Sequence, residues 1–371
     1  MCGAGAGEQG DRGGRQGEPD RGAERGAESG GRAHGRAPSG VWLTGFSLPW
    51  PWARILSTRT HIRCTYRVHG RRMKGMNSAS GTGDSAAARR SLEALALGDA
   101  FGERWFPLFR PPRQAYGEVR ARRTPHEPVW HWTDDTALAR ALHRVLDECG
   151  QVDQDRLALF FALAFEADRA RGYGHGMHML LPELLTSPGD WRTLAPGLFE
   201  GGSLGNGAAM RVAPLGARFH QDIDHVVEQA VLSAEVTHAH PEGIAGAVAV
   251  AVAAALSVRG EFTLAAVAGR TPGGLVREGL RRAGEVPFTT EPWKAADLLG
   301  NGQRIRADDT VPFALWTAAR HPGDLEEALW ATAEGFGDVD TTCAITGGVV
   351  GAVTGVDGVP AEWRQRREPL G

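Results

Sequence analysis

Two acidic turns, far apart in the chain, hold the residues best suited to chemistry. One reads Trp132-Thr133-Asp134-Asp135-Thr136 and the other Gly337-Asp338-Val339-Asp340-Thr341-Thr342. Each packs two carboxylates and neighbouring hydroxyls into a few residues, and each opens a segment with helical patterning. Asp and Thr suit helix N-termini, where they cap free N–H groups and complement the helix dipole. Capping needs one side-chain acceptor, so the second Asp of each turn has no capping task. Adjacent carboxylates repel unless a cation lies between them. If folding brings the turns together, four carboxylates face one another, and a hard divalent ion such as Mg²⁺ is the usual partner of an all-oxygen donor set.

The elements that must position these turns read as helices. The segment from Ser85, SAAARRSLEALALGDAF, has a Ser start, strong helix formers and a Gly near its end. DDTALARALHRVLDECG is amphipathic, with Leu138, Ala141, Leu142 and Val145 on one side and Gly150 as a stop. QDRLALFFALAFEADRARGYG follows as a further helix. The pattern predicts later helices at 221–239, 242–258, 261–269, 273–284, 311–320, 324–335 and 341–354. Strand-type alternation is nearly absent. The expectation is an all-α fold, one compact multi-helix domain over residues 85–365. Residues 1–84 form a separate N-terminal extension, whose Gly- and Arg-rich first forty residues predict disorder because they cannot bury enough apolar surface. Met73 and Met76 stand just before the patterned region. A native start there is one reading of the extension, and a genuine disordered tail is the other.

Composition narrows the function classes. With 42% hydrophobic residues in 371, the chain can bury a large core. A formal net charge of −3 gives no general attraction to nucleic acid or to an anionic membrane, so neither is an expected partner. The apolar run from Ile244 to Val258 is short and rich in Ala and Gly, which favours a buried core helix over a membrane span. Cys2, Cys64, Cys149 and Cys343 show no CxxC or zinc spacing. They fit unpaired thiols in a reducing, cytoplasmic setting, with Cys343 packed as a small hydrophobe. A monomer is expected.

Between Gly172 and Gly216 lies a long Gly- and Pro-rich stretch, and connections of that length in compact domains are usually functional. It holds GYGHG (172–176) and GGSLGNGAAMRVAPLG (201–216). In chain order the motifs are LGDAFG (97–102), WTDDT (132–136), GYGHG, SLGNGAAMR (203–211), THAHP (237–241) and GDVDTTCAITGGVVGA (337–352). Six motifs in this order resemble the ADP-ribosylglycohydrolase family, which includes dinitrogenase reductase-activating glycohydrolase and the J1 crystallins. The resemblance leaves the N-terminal quarter uncovered.

That resemblance implies an all-helical fold with two Mg²⁺ ions, or Mn²⁺, at the bottom of an ADP-ribose cleft. Carried over residue by residue, the metal ligands would be Thr133, Asp134 and Asp135 together with Asp338, Asp340 and Thr341. Asp135, Asp340 and Asp99 of LGDAFG would be the catalytic candidates, although a helix-end turn is an equal reading for Asp99. Gly174, His175 and Gly176 would wrap a diphosphate with backbone N–H groups. Ser203, Gly205, Asn206 and Gly207 would line the distal ribose, with Asn206 hydrogen-bonded to ligand. Arg211 would be structural or touch phosphate. His238 and His240 read as packed residues and not as zinc ligands, since no third N or S ligand is evident. Many relatives carry a Glu several residues beyond the GDA turn. Here Glu103 follows that turn closely, either serving from a shifted place or lying on the surface.

The implied activity is a Mg²⁺-dependent glycosidase acting on ADP-ribosylation. It would cleave ADP-ribose from an acceptor, either an ADP-ribosylated protein side chain such as arginine or a small ADP-ribosyl compound. A binding or crystallin-like structural protein with weak or no turnover is the alternative. A dinuclear-metal phosphatase is less consistent, because such sites usually draw on His and neither acidic turn contains one.

Overall fold

The computed structural model describes residues 83–371 apart from Leu108. The disordered extension expected before residue 83, the start at Met73 or Met76, and Cys2 and Cys64 all fall outside the described residues.

Seventeen α-helices follow in order. They are α1 (Ser85–Gly102), α2 (Pro112–Arg120), α3 (Asp134–Cys149), α4 (Gln154–Ala167), α5 (His175–Thr186), α6 (Trp191–Gly197), α7 (Gly207–Met210), α8 (Ala213–Arg218) and α9 (Ile223–Glu235). Then come α10 (Pro241–Val258), α11 (Leu264–Arg270), α12 (Leu275–Glu285), α13 (Pro292–Leu299), α14 (Ala307–Arg320), α15 (Leu325–Ala333), α16 (Val339–Thr354) and α17 (Ala361–Arg366). Short 3₁₀ turns lie at Glu103–Trp105 and Pro188–Asp190. No strand forms among the described residues, where the only sheet-like pairings are the single bridges Trp130 to Arg367 and Gly205 to Arg306.

Local chemistry sets the helix ends. Asp84 caps α1 by accepting from the N–H groups of Ala86 (3.0 Å) and Ala87 (2.9 Å). Asp153, Asp222 and Asp324 cap α4, α9 and α15 in the same way. Gly150 closes α3 with φ +76°, a left-handed turn that costs Gly little. Helices α2 and α13, absent from the sequence expectation, each begin with a proline at the first helical position. Proline suits that position, because its missing N–H would have had no partner there anyway.

The Gly- and Pro-rich stretch of 172–216 is less loop-like than expected, since α5 to α8 lie within it. Met177, Leu180, Leu181 and Leu184 of α5 give it a buried face at helical spacing, strong enough to carry Pro182 inside the helix.

Helix α10 is central, with its Ala, Val and Gly positions from 245 to 255 buried all round. Among the described residues it alone has the length and apolar composition of a membrane span, and most of it is enclosed by the domain. Helices α1 and α16 pack along much of their length. Small residues make this possible. A β-carbon on Gly98 would lie 2.1 Å from the Cys343 carbonyl oxygen, and one on Gly351 would lie 1.9 Å from Ala94 Cβ. At the end of α1, a β-carbon on Gly102 would lie 2.4 Å from the Val339 carbonyl oxygen and 2.6 Å from Asp340 Cα. The end of α1 therefore touches the backbone of the second acidic turn.

Gly102→Ala cannot be accommodated without moving Val339 and Asp340. We expect it to destabilise the protein by about 1–3 kcal/mol, the usual cost of overpacking a tight core. Denaturant unfolding would measure this, and an unchanged midpoint would show that the α1–α16 contact can open freely.

Candidate active site

The two acidic turns meet at one cleft of about 570 Å³. Asp134, Asp135, Asp338, Asp340 and Thr341 line it together with Gly172, Gly174, His175, Gly176, Ser203, Gly205, Asn206 and Gly207. Thr133 and Asp99 are not among the lining residues.

The first turn is built from behind. Thr133 caps α3, its hydroxyl accepting from the Asp135 N–H. Asp99, fully buried, accepts from the N–H and hydroxyl of both Thr133 and Thr136 at 2.5–3.1 Å. Both of its oxygens are taken up by these bonds. Expected as a catalytic group, Asp99 in the structure holds the turn in place without reaching the cleft. The Thr133 hydroxyl is likewise engaged, 2.9 Å from Asp99 and 3.1 Å from Asp135.

The second turn differs, because Asp338 makes no side-chain cap to α16. Its Oδ2 instead accepts from the Asn206 amide at 2.6 Å, and that amide also donates to the Thr310 hydroxyl at 3.0 Å. Both amide hydrogens of Asn206 are thus spent on protein. Asn206 lines the cleft as expected, but its amide ties the Gly-Asn-Gly turn to the acidic floor. Gly337, with φ +74°, packs against Asn301, whose carbonyl accepts from the Asp338 N–H at 3.0 Å.

Burial and mutual repulsion push the carboxyls up. Desolvation raises Asp134 to about 8, with Asp99 and Asp338 adding to it. It raises Asp135 and Asp340 well above the carboxylate range, and each feels the other turn: Asp338 acts on Asp135, and Asp135 acts on Asp340. Asp99 is raised to about 6 by burial, against the pull of its Thr donors. Glu103, in the 3₁₀ turn after α1, is raised to about 7 by burial, opposed by Arg104 and assisted by Asp99 and Asp338. It is half-buried near both turns without lining the cleft.

The donor set fits a hard divalent cation. It is all oxygen, Asp99, Asp134 and Asp338 add to the burial that raises Asp135, and the buried Asp135 Oδ1 has no hydrogen-bond partner. Among the described residues no three His, Cys, Asp or Glu side chains already converge as a ready-made cluster.

The walls are suited to an anionic, partly apolar ligand. Helix α5 starts at Gly174 with no side-chain cap, so the N–H groups of His175 and Gly176 remain available at its positive end. Phe199 and Ile305, both well exposed, add apolar surface, and Arg304 and Arg306 lie beside them. Ile305 holds φ +54°, which is costly for a β-branched residue. Its N–H bonds Gly302 and its carbonyl accepts from the Asn206 N–H. The sequence reading missed Phe199, Arg304, Ile305 and Arg306. No periodic or motif signal marks them, because a distant loop brings 304–306 to the cleft.

His238 also lines the cleft. Arg211, fully buried over the Phe161 ring at 4.3 Å, donates to the Thr237 hydroxyl at 2.8 Å. That hydroxyl lies 2.7 Å from His238 Nδ1. Nε2 faces the Gly205–Gly207 turn. Arg211 is structural, and His240 caps α10 through the Glu242 N–H.

Burial first, then Arg211, lowers His238 to about 3. The folded value lies below the unfolded one, so unfolding takes up a proton once pH falls below about 6.5, and stability drops as pH drops through that window. His238→Gln removes the term. Wild type should lose stability relative to this variant by about 1.4 kcal/mol per pH unit at most between pH 6.5 and 4.5. Parallel stability curves would show that the ring charges within the fold.

Comparison with known proteins agrees with this geometry. The family model for ADP-ribosylglycohydrolase matches residues 82–369. Human ADP-ribosylhydrolase ARH3 is 32% identical over 274 residues, covering 64% of this chain and 75% of its own length. An uncharacterized protein of Archaeoglobus fulgidus is 33% identical, covering 71% of this chain and 86% of its own length. A solved structure described as an ADP-ribosylglycohydrolase-related protein complex superposes with a TM-score of 0.54 at 25% identity, covering 75% of this chain and 91% of its own. On fold and sequence together, the chain belongs to the ADP-ribosylglycohydrolase family.

Proposed function

We propose that this protein is a Mg²⁺-dependent hydrolase that cleaves the bond between the distal ribose of ADP-ribose and an acceptor. The acceptor is a modified side chain such as arginine, or a small ADP-ribosyl compound. The observation that carries the reading is the meeting of the two acidic turns on one cleft floor, beneath walls of free backbone N–H groups.

Asp134, Asp135, Asp338, Asp340 and Thr341 would hold two Mg²⁺ ions, with Mn²⁺ as a substitute. Thr133 is the weakest member of the set, because its hydroxyl already serves Asp99 and Asp135. Bound there, the metal pair supplies Lewis-acid charge and an acidified water at the anomeric centre. An oxocarbenium-like transition state gains from nearby carboxylate charge. Asp135 and Asp340, which repel each other across the floor, are the groups we assign to accept the proton of the attacking water. Asp99 is assigned a positioning role. Helix α5 and His238 Nε2 would face the diphosphate side, and Phe199 and Ile305 would give the adenine an apolar wall.

Release of ADP-ribose from arginine-, serine- and phosphate-linked substrates, with and without Mg²⁺, tests the reading. Chelation should abolish release, and Mg²⁺ or Mn²⁺ should restore it. Asp340→Ala should lose turnover with its helical circular dichroism retained. Full activity in chelator would rule out the metal role, and ADP-ribose binding without release from any substrate would favour a binding protein.

The amide of Asn206 sits between ligand turn and metal floor. Asn206→Ala should weaken ADP-ribose binding by about 1–2 kcal/mol. It should also weaken Mn²⁺ binding about tenfold, as losses of groups that orient a ligand commonly do. Calorimetry on both ligands measures this, and wild-type affinities for both would remove Asn206 from the site.

A further inference from the structure

Arg171 lies just outside the cleft, where three separate parts of the chain meet. Its backbone carbonyl accepts from the Asp134 N–H at 2.8 Å. Its guanidinium donates to the Trp132 carbonyl at 2.8 Å and lies 3.7 Å from the centre of the Trp132 ring. The same guanidinium grips Glu368 by both carboxylate oxygens at 2.7 Å, and its Nε pairs with Asp168 at 3.0 Å. Glu368 is in turn fixed from behind. Its N–H donates to the Trp130 carbonyl at 2.9 Å, the Trp130 N–H donates to the Arg366 carbonyl at 2.7 Å, and His131 Nδ1 lies 3.0 Å from its Oε2.

The next residue, Gly172, opens the cleft wall with φ +88°, and a β-carbon there would lie 3.6 Å from Asp134 Oδ1. Arg171 thus brackets the first acidic turn on both sides of Thr133, and it anchors the start of the 172–176 wall. Glu368 orients that guanidinium. A two-pronged pair is selective for orientation, because only one placement of the fork satisfies both oxygens. Neither residue touches the cleft.

We propose that the Arg171–Glu368 pair is a positioning device for the reaction. It sets the place of Asp134 and of the 172–176 wall, and so the affinity of the cleft for its divalent cation, while contributing little to global stability. The consequence for cation affinity rests on the reading of Asp134 as a metal-holding residue. The placement of the turn does not.

The test uses the full chain as wild type, Glu368→Gln and Arg171→Lys. Lysine keeps the charge but cannot make the forked contact. Amide hydrogen exchange, measured on metal-free protein, reads the turn directly through the Asp134 N–H. In both variants exchange over 130–136 and 171–176 should rise on the order of tenfold, with α10 and α16 unchanged. Manganese titration followed by electron paramagnetic resonance should show a dissociation constant raised about tenfold or more. Exchange as slow as wild type in those two segments overturns the proposal, and so does a rise shared equally by α10, which would mark a general loss of stability. Localised exchange with unchanged manganese affinity overturns the coupling to the cation. If wild type itself takes up no manganese, the metal reading fails, and the positioning role is decided by the exchange data alone.

Discussion

The cleft depends on one buried carboxylate. Asp99 stands near the end of α1 with no exposure to solvent, and it takes four donors from Thr133 and Thr136 at the start of α3. Three residues later, Gly102 rests against the backbone of Val339 and Asp340. A single helix therefore holds one acidic turn by hydrogen bonds and the other by backbone contact. Burying a carboxylate is expensive unless its oxygens are satisfied, and here the satisfying groups are the ones that need orientation. The same bonds that make Asp99 tolerable aim Asp134 and Asp135 at the cleft.

What results is a floor that works against the fold. Burial raises Asp134, Asp135 and Asp340, Asp338 adds to each, and Asp135 Oδ1 has no partner. A protein tolerates such an arrangement where the surrounding packing over-determines it. The α1–α16 seam does this, with glycines that bring the two helices to backbone contact. The Thr317, Thr332 and Thr346 hydroxyls, bonded to one another at 2.8–3.1 Å, stitch α14 and α15 to α16 from the far side. The second turn is thus held from two directions.

Much of this was legible in the sequence, for definite reasons. The second Asp in each acidic turn had no capping task, and that surplus marked the floor. The reading as caps was also partly right: Thr133 caps α3, whereas Asp338 caps nothing. The long helices could be read because their apolar spacing and Asp or Thr starts agree. Helices α2 and α13 were missed because they are short, 9 and 8 residues, and give little room for a helical pattern to show. Asn206 was placed on the cleft correctly, but its partner Asp338 lies 132 residues away, and no local pattern announces such a bond. His238 was read as a packed residue. It is packed, and it also faces the cleft, because the Arg211–Thr237 relay fixes one ring nitrogen and leaves the other free.

Floor and walls differ in a way that bears on specificity. Asp134, Asp135 and Asp340 of the floor are buried, and Asp338, half-buried, is tied to Asn206. Phe199, Ile305 and Arg304 are exposed and come from connections between helices. Arg304 is already paired with Asp309, and Arg306 with Asp308, so their charges are locally balanced. Loops on a rigid scaffold are where proteins of one fold diverge in what they bind. The cleft thus joins a floor set by helix contacts to a rim of exposed side chains.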